Sequence, residues 1–178
     1  QLFSERGYHA TSMRDLARAL DLQGGSLYSH IDSKEELLWL IVDGAATQFL
    51  KTLRPIAASD APPEEKLRTA IRGHMRVITN NLDAATVYFH EWRFLSAPRR
   101  EAFLARRREY EALFRTIAEE SVGRTPDVDP KWATMLILSA TNWLYQWYDP
   151  DGELSPDELA ERFTRMLFGG LVQPAVAY

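Results

Sequence analysis

From Ser33 onward, apolar residues recur at intervals of three and four in every long segment, and Val, Ile and Thr never gather into alternating runs. That period sets one apolar stripe along a helix and is incompatible with a pleated strand, so the chain is expected to be all-α. Breaks are equally visible. Pro55 is expected to end the helix that begins near Lys34, and residues 58–63 read as a loop. Further helices are expected over about 64–80, 83–95, 98–121, 130–148 and 155–171, separated by Ser96-Ala97-Pro98, by 123–129 and by 149–153. At 178 residues and 46% hydrophobic content the chain can bury a sizeable core.

The first forty residues carry a denser pattern. Ser12 precedes an amphipathic run with Asp15 three residues on, the arrangement of a capping box, so a helix should start near Met13. Met13, Leu16, Ala17 and Leu20 form its apolar stripe. Residues 21–23 interrupt it. Gly24-Gly25-Ser26-Leu27-Tyr28-Ser29-His30 then resumes with small and polar side chains that let a backbone approach phosphates closely. Ser33 with Glu36 reads as a second capping box, and Lys34 falls in the first turn of the next helix, within reach of a phosphate. Two short helices and a turn before a third make a helix-turn-helix, whose second helix enters the major groove of DNA.

In order and spacing the segment resembles the DNA-binding end of TetR-family repressors. The resemblance is carried by Leu2-Phe3, Gly7-Tyr8, Thr11-Ser12, Leu16-Ala17, Ser26-Leu27-Tyr28 and Ser33-Lys34-Glu35. It covers nearly all of the first forty residues. Three positions depart from the family pattern: Asp21 replaces the usual Gly, Gln23 a small capping residue, and Ile31 the usual Phe. Asp tolerates a left-handed backbone better than most residues, so the turn is expected to survive. Gln23 leaves the recognition helix without a strong cap. The residues expected to contact DNA are Thr11, Ser12, Gly25, Ser26, Tyr28, Ser29, His30 and Lys34. In the family's first helix the chain opens on Gln1 without Met, and we expect a preceding, basic segment.

Charge argues mildly the other way. The net charge is −4, and residues 1–54 hold six basic against seven acidic side chains, a poor supply of cations for phosphates. With no cysteine there is neither a disulfide nor a thiolate metal site, and the expected setting is a reducing cytoplasm. No apolar run reaches the length that spans a bilayer, so no membrane partner is expected.

The reading head is assigned to residues 1–45 and a ligand-binding and dimerisation body to 46–178, with the helix from Lys34 belonging to both. Helix 130–148 carries Trp132, Met135, Leu136, Leu138, Trp143, Leu144, Tyr145, Trp147 and Tyr148, more apolar surface than one inward face can use. Helix 155–171 repeats Leu159, Phe163, Met166, Leu167 and Leu171. A second copy of the same pair, packed as a four-helix bundle across a two-fold axis, would bury the excess. The resemblance implies this homodimer as well. Trp132, Leu136, Trp143, Trp147, Leu159, Phe163, Met166 and Leu167 are the expected interface; the competing reading makes them core of a single chain. A dimer would present two heads to major grooves about 34 Å apart, on a pseudo-palindrome.

On the middle helices His74, Ile78, Tyr88, Trp92, Phe103, Tyr110, Phe114, Asn142 and Tyr145 set a few polar groups among aromatic ones, as small-molecule sites between helices do. The competing reading is simple core. The resemblance implies a small-molecule inducer that releases the heads, and 91–95 and 142–148 are similar to TetR-family regulators of fatty-acid, phenylacetate and steroid breakdown, several of which sense acyl-CoA esters. Arg99, Arg100, Arg106, Arg107 and Arg108 would then receive coenzyme A phosphates, or else form a solvated face interleaved with Glu101, Glu109 and Glu111. No cofactor and no resident metal are expected. The rivals are an enzyme or metal-binding protein, for which only His74 and His90 offer a pair of ligands and no catalytic motif is present, and a helical interaction module without specific DNA binding.

Overall fold

A computed structural model describes residues 1–21, 31–122 and 128–169 of the chain. The described residues are helical with no strand. The helices are α1 Leu2–Arg6, α2 Met13–Ala19, α3 Lys34–Ala57, α4 Pro63–Thr79, α5 Leu82–His90, α6 Ala97–Val122, α7 Pro130–Asn142, α8 Leu144–Trp147 and α9 Pro156–Gly169, with a 3-10 turn at Trp92–Phe94. They fall into two compact units. The first joins Gln1–Lys51 to Asn80–Ala112; the second joins Thr52–Thr79 to Leu113–Tyr178, of which 113–122 and 128–169 are described. No described helix is long and apolar enough to cross a membrane.

In the first unit α1 buries Phe3 and stops at Gly7, whose φ of 81° is the left-handed conformation that glycine takes at least cost. The Ser12 hydroxyl accepts from the Asp15 amide at 3.1 Å while the Asp15 carboxylate accepts from the Ser12 amide at 2.9 Å, so α2 starts on the expected reciprocal cap. Leu16 and Ala17 are buried, but Leu20 lies beyond the helix and is exposed. Asp21 takes φ 53°, the left-handed turn that the sequence demanded of it. At the start of α3 the cap is only half of the expected box. Ser33 Oγ accepts from the Glu36 amide at 3.0 Å, whereas the Glu36 carboxylate reaches one residue further back, to the Asp32 amide at 2.7 Å. Leu38, Val42, Ala46, Phe49 and Leu50 then form the buried face of α3 in this unit.

Pro55 does not end α3, which continues to Ala57. Proline removes a single amide donor in the last turn, and the chain after it still closes on the Ala58 amide to Arg54 carbonyl bond at 3.1 Å. The expected helix 83–95 is likewise two pieces: α5 ends at His90, and Glu91 leads into the 3-10 turn.

In the second unit α4 buries Lys66, Leu67, Ala70, Ile71, His74, Met75 and Ile78, a three-and-four repeat that packs on α7, α8 and α9. Gly73 permits a close approach: a Cβ there would stand 2.7 Å from the Thr52 methyl group. The Lys66 ammonium is buried on the Glu120 carboxylate at 2.9 Å. The single helix expected over 130–148 breaks at Trp143, giving α7 and the short α8 with Leu144 fully buried between them. A Ser155–Glu158 capping box, with bonds of 2.9 and 3.3 Å, opens α9.

Candidate nucleic-acid interface and sensing residues

Five of the residues expected to touch DNA, Gly25, Ser26, Tyr28, Ser29 and His30, lie outside the described residues. The other three are committed within the first unit. Thr11 is buried, with its hydroxyl 2.9 Å from the Gly7 carbonyl and 3.2 Å from that of Leu2. Ser12 is exposed, and its hydroxyl serves the α2 cap. The half-buried Lys34 donates to the Tyr8 carbonyl at 2.8 Å and the Thr11 carbonyl at 2.9 Å, with its ammonium 4.3 Å from the centre of the Tyr8 ring. A lysine has three protons, so one remains for an outside acceptor. Thr11, with no accessible hydroxyl, is a brace between α1 and α2 in this structure and not a phosphate contact. Sequence reasoning passed over the exposed cations Arg6, Arg14 and Arg18, the last two on α2. For the two on α2 the signal was available: Arg14 and Arg18 sit on the polar side of the apolar stripe.

Tyr8 and His9 are also held from the turn after α5. The Tyr8 amide donates to Glu91 at 3.0 Å, the Tyr8 ring stacks on Phe94 at 5.8 Å, and the His9 ring meets Phe94 edge-on at 4.2 Å. Beside them Glu35 accepts from the Ser96 amide at 3.0 Å and from Arg99 at 2.7 Å. Burial opposes ionisation of Glu35, yet the Ser96 bonds and the Arg99 charge outweigh it and hold the carboxyl below its ordinary pKa. Burial, with the Glu35 charge, pushes the Tyr8 phenol up. Glu35 was read only as part of the family pattern and Glu91 was given no role, because their partners are distant in sequence.

Four of the expected ligand residues meet in the first unit. Tyr88 lies 5.2 Å from Phe103, Phe103 5.4 Å from Trp92, and Phe49 joins Tyr88 at 5.1 Å and Tyr110 at 5.4 Å. Burial pushes the Tyr88 phenol up to about 12, and raises that of Tyr110 well above its usual value. The cluster is therefore neutral. Phe49 and Phe89 belong to it as well, although neither was expected.

The remaining five are in the second unit. His74, Ile78 and Phe114 are buried, and the His74 and Phe114 rings meet edge-on at 6.4 Å. Burial holds the His74 imidazole down at about 4, against a smaller opposing effect of its hydrogen bond with the half-buried Asn142. It is a neutral hydrogen-bonding group at ordinary pH. Tyr145 is half-buried. His90 belongs to the first unit and His74 to the second, and among the described residues no cluster of His, Asp and Glu could hold a metal ion.

The arginines of α6 are mostly paired. Arg99 is on Glu35, Arg106 lies 2.7 Å from the Thr47 hydroxyl and 3.2 Å from Asp43, and Arg107 is 2.9 Å from Glu111. Arg100 and Arg108 are exposed. In the second unit an open groove of about 550 Å³ is lined by Arg72, Asp157, Glu158, Glu161, Arg162 and Arg165. Its charges largely answer one another, with Arg76 on Asp157 at 2.6 Å and Arg68 near Glu161 at 3.9 Å.

The outward face of α7 to α9 is apolar. Trp132 is 61% exposed, Leu136 63%, Trp143 56% and Trp147 48%, and Met135, Met166 and Phe168 are exposed too. Trp147 stacks on Phe163 at 6.5 Å, and Phe163 and Leu167 are half-buried. Leu159 departs from the expected interface: it is 6% exposed, since its position in the first turns of α9 turns it toward α4 and the unit's own core.

Residues 1–39 match the bacterial regulatory proteins of the tetR family, and residues 60–171 match the tetracyclin repressor-like C-terminal domain. The transcriptional repressor KstR2 of Rhodococcus jostii is 30% identical over 178 residues, 97% of this chain and 87% of the relative. The solved ketosteroid regulator KstR2 of Mycobacterium tuberculosis superposes with a TM-score of 0.89 at 26% identity, covering 97% of this chain and 90% of that one. AibR, solved in complex with isovaleryl coenzyme A and operator DNA, gives a TM-score of 0.81 at 29% identity over 94% of this chain and 92% of its own. With one family domain matched at each end and a repressor similar along almost the whole length, the chain belongs to the TetR family of transcriptional repressors, which bind DNA and are not enzymes.

Proposed function

We propose that the protein acts as a homodimer whose two heads hold a pseudo-palindromic operator and let go when a small apolar or acyl compound, an acyl-CoA ester foremost, binds the body. Residues 1–45 form the reading head and 46–178 the sensing and dimerising part. Gly25, Ser26, Tyr28, Ser29 and His30 face the major groove, and Lys34 offers its third proton to a phosphate.

One observation carries the choice of inducer: Tyr88, Phe103 and Tyr110 are aromatic, buried and uncharged, with the half-buried Trp92 ring against Phe103. A site opened among such side chains would favour an acyl chain or a ring system over a sugar. AibR, a relative of this fold, takes isovaleryl coenzyme A. The exposed Trp132, Leu136, Trp143 and Trp147 supply the reason to dimerise, because a protomer rarely leaves so much contiguous apolar surface in water. Ligand and operator then compete through the protein, and a coupling on the order of 1–3 kcal/mol is enough to shift occupancy.

The test is a titration of the dimer on its operator with a series of acyl-CoA esters and with the matching free acids, at fixed salt. Release by an ester and not by its acid supports the reading. No release by any acyl-CoA ends it. Sedimentation of the DNA-free protein checks the dimer, which should persist at micromolar concentration.

A further inference from the structure

The turn at residues 91–96 and the DNA-reading end of the chain exchange carboxylates. Glu91, at the start of the turn, accepts the Tyr8 amide proton at 3.0 Å; Glu35, at the start of α3, accepts the Ser96 amide proton at 3.0 Å from the end of the same turn. Each side thus supplies one carboxylate and one backbone donor. The left-handed Gly7 turns the chain immediately before the Tyr8 amide, and Arg99 fixes the second oxygen of Glu35 at 2.7 Å. Phe94, between Glu91 and Ser96 in sequence, stacks on Tyr8 and receives the edge of His9. Lys34 binds the Tyr8 and Thr11 carbonyls from the other side. The turn is itself rooted: Trp92 lies against Phe103 of the aromatic cluster.

From this geometry we infer that Glu91 and Glu35 are a reciprocal latch that positions the reading head for its operator. Neither touches DNA. Each acts by fixing the peptide on the other side, so that the two heads of a dimer do not have to be ordered when they meet two grooves at a set spacing, a cost that association would otherwise carry. Hydrogen bonds that involve a charged acceptor are the stronger kind, which suits two bonds asked to hold a head. The inference rests on the DNA reading of the family and is independent of the inducer proposed above.

The experiment uses the intact chain and a duplex recovered by it from a randomised DNA pool, with a scrambled duplex as control. Glu91→Ala and Glu35→Ala should each weaken the selected duplex on the order of tenfold, the scale of one charge-assisted hydrogen bond. The double variant should fall well short of the product of the two, since the first loss already frees the head. Glu91→Gln, whose amide oxygen still accepts from Tyr8, should recover most of the affinity, and Glu101→Gln on exposed α6 should change nothing. The thermal midpoint should fall by no more than a few degrees, affinity for the scrambled duplex should stay level, and the Tyr8 amide should be protected from hydrogen exchange in the wild type. The latch is overturned if the alanine variants keep affinity within twofold, if they weaken both duplexes alike, if glutamine is as damaging as alanine, or if the wild-type Tyr8 amide exchanges freely. Failure of the wild-type chain to enrich any sequence removes the DNA reading itself, and the latch with it.

Discussion

The core aromatic residues of the first unit are turned toward one another, and the tryptophans along α7 and α8 are largely exposed. Phe49, Tyr88, Phe103 and Tyr110 form a continuous ring network with little solvent contact, whereas Trp132, Trp143 and Trp147 keep about half of their surface in water. Both groups recur at helical spacing, and both look alike in the sequence. What separates them is whether the neighbouring helices leave a face to pack against. The first group has its partners within the chain; the second is the face on which the proposed dimer rests.

A pair of truncations breaks or sharpens that contrast most directly. Phe103→Ala empties a fully buried site and should cost about 3–5 kcal/mol of unfolding free energy, read from denaturant midpoints. Trp132→Ala should cost the protomer under about 0.5 kcal/mol while raising the dimer dissociation constant at least tenfold in sedimentation. A large protomer loss at Trp132, with unchanged assembly, would put the outward aromatics back in the core.

Next in size is His74, which shows that the second unit also has an interior. Its folded pKa of about 4 lies below the ordinary histidine value, so the unfolded chain binds the proton more readily. The contribution is fully present above about pH 6.5 and is lost as pH falls toward 4, amounting to about 3 kcal/mol. His74→Gln should remove that part of the acid dependence in urea titrations at stepped pH. An unchanged slope would place the imidazole in water.

Gly73→Ala tests the packing of the same helix, against Thr52. The added methyl would press on Thr52, and a loss of about 1–3 kcal/mol in thermal or urea unfolding is expected. Thr52→Ala in the same chain should return most of it.

The smallest effect is local and belongs to the first unit. Ser12→Ala removes the α2 cap and should cost about 1 kcal/mol, while Ser12→Asp should hold close to the wild type. Equal losses for both would mean that the hydroxyl has a further partner.

These sites also mark what could be read in advance. The α2 cap, the Asp21 turn and the all-helical plan follow from interactions within a few residues, and the sequence displays such interactions directly. At Ser33 the serine cap was legible but the destination of Glu36 was not, because two neighbouring amides compete for one carboxylate. The break at Trp143 leaves no mark, since the apolar period runs through it unaltered. Pro55 misled for the opposite reason: a strong local breaker is tolerated when only one turn remains. Thr11, Lys34 and Leu159 were placed by chemistry that suits a surface, yet each finds its partner inside its own unit. Spacing ranks a residue's capacities and leaves the choice among them to tertiary packing.

The chain has five tryptophans, and three of them stand on the outward face of α7 and α8. An indole in water emits at longer wavelength than one in an apolar seam, so association of two copies would write itself into the protein's own fluorescence. Without any label, a red shift on dilution would follow dissociation, and the concentration at its midpoint would measure how tightly the copies hold.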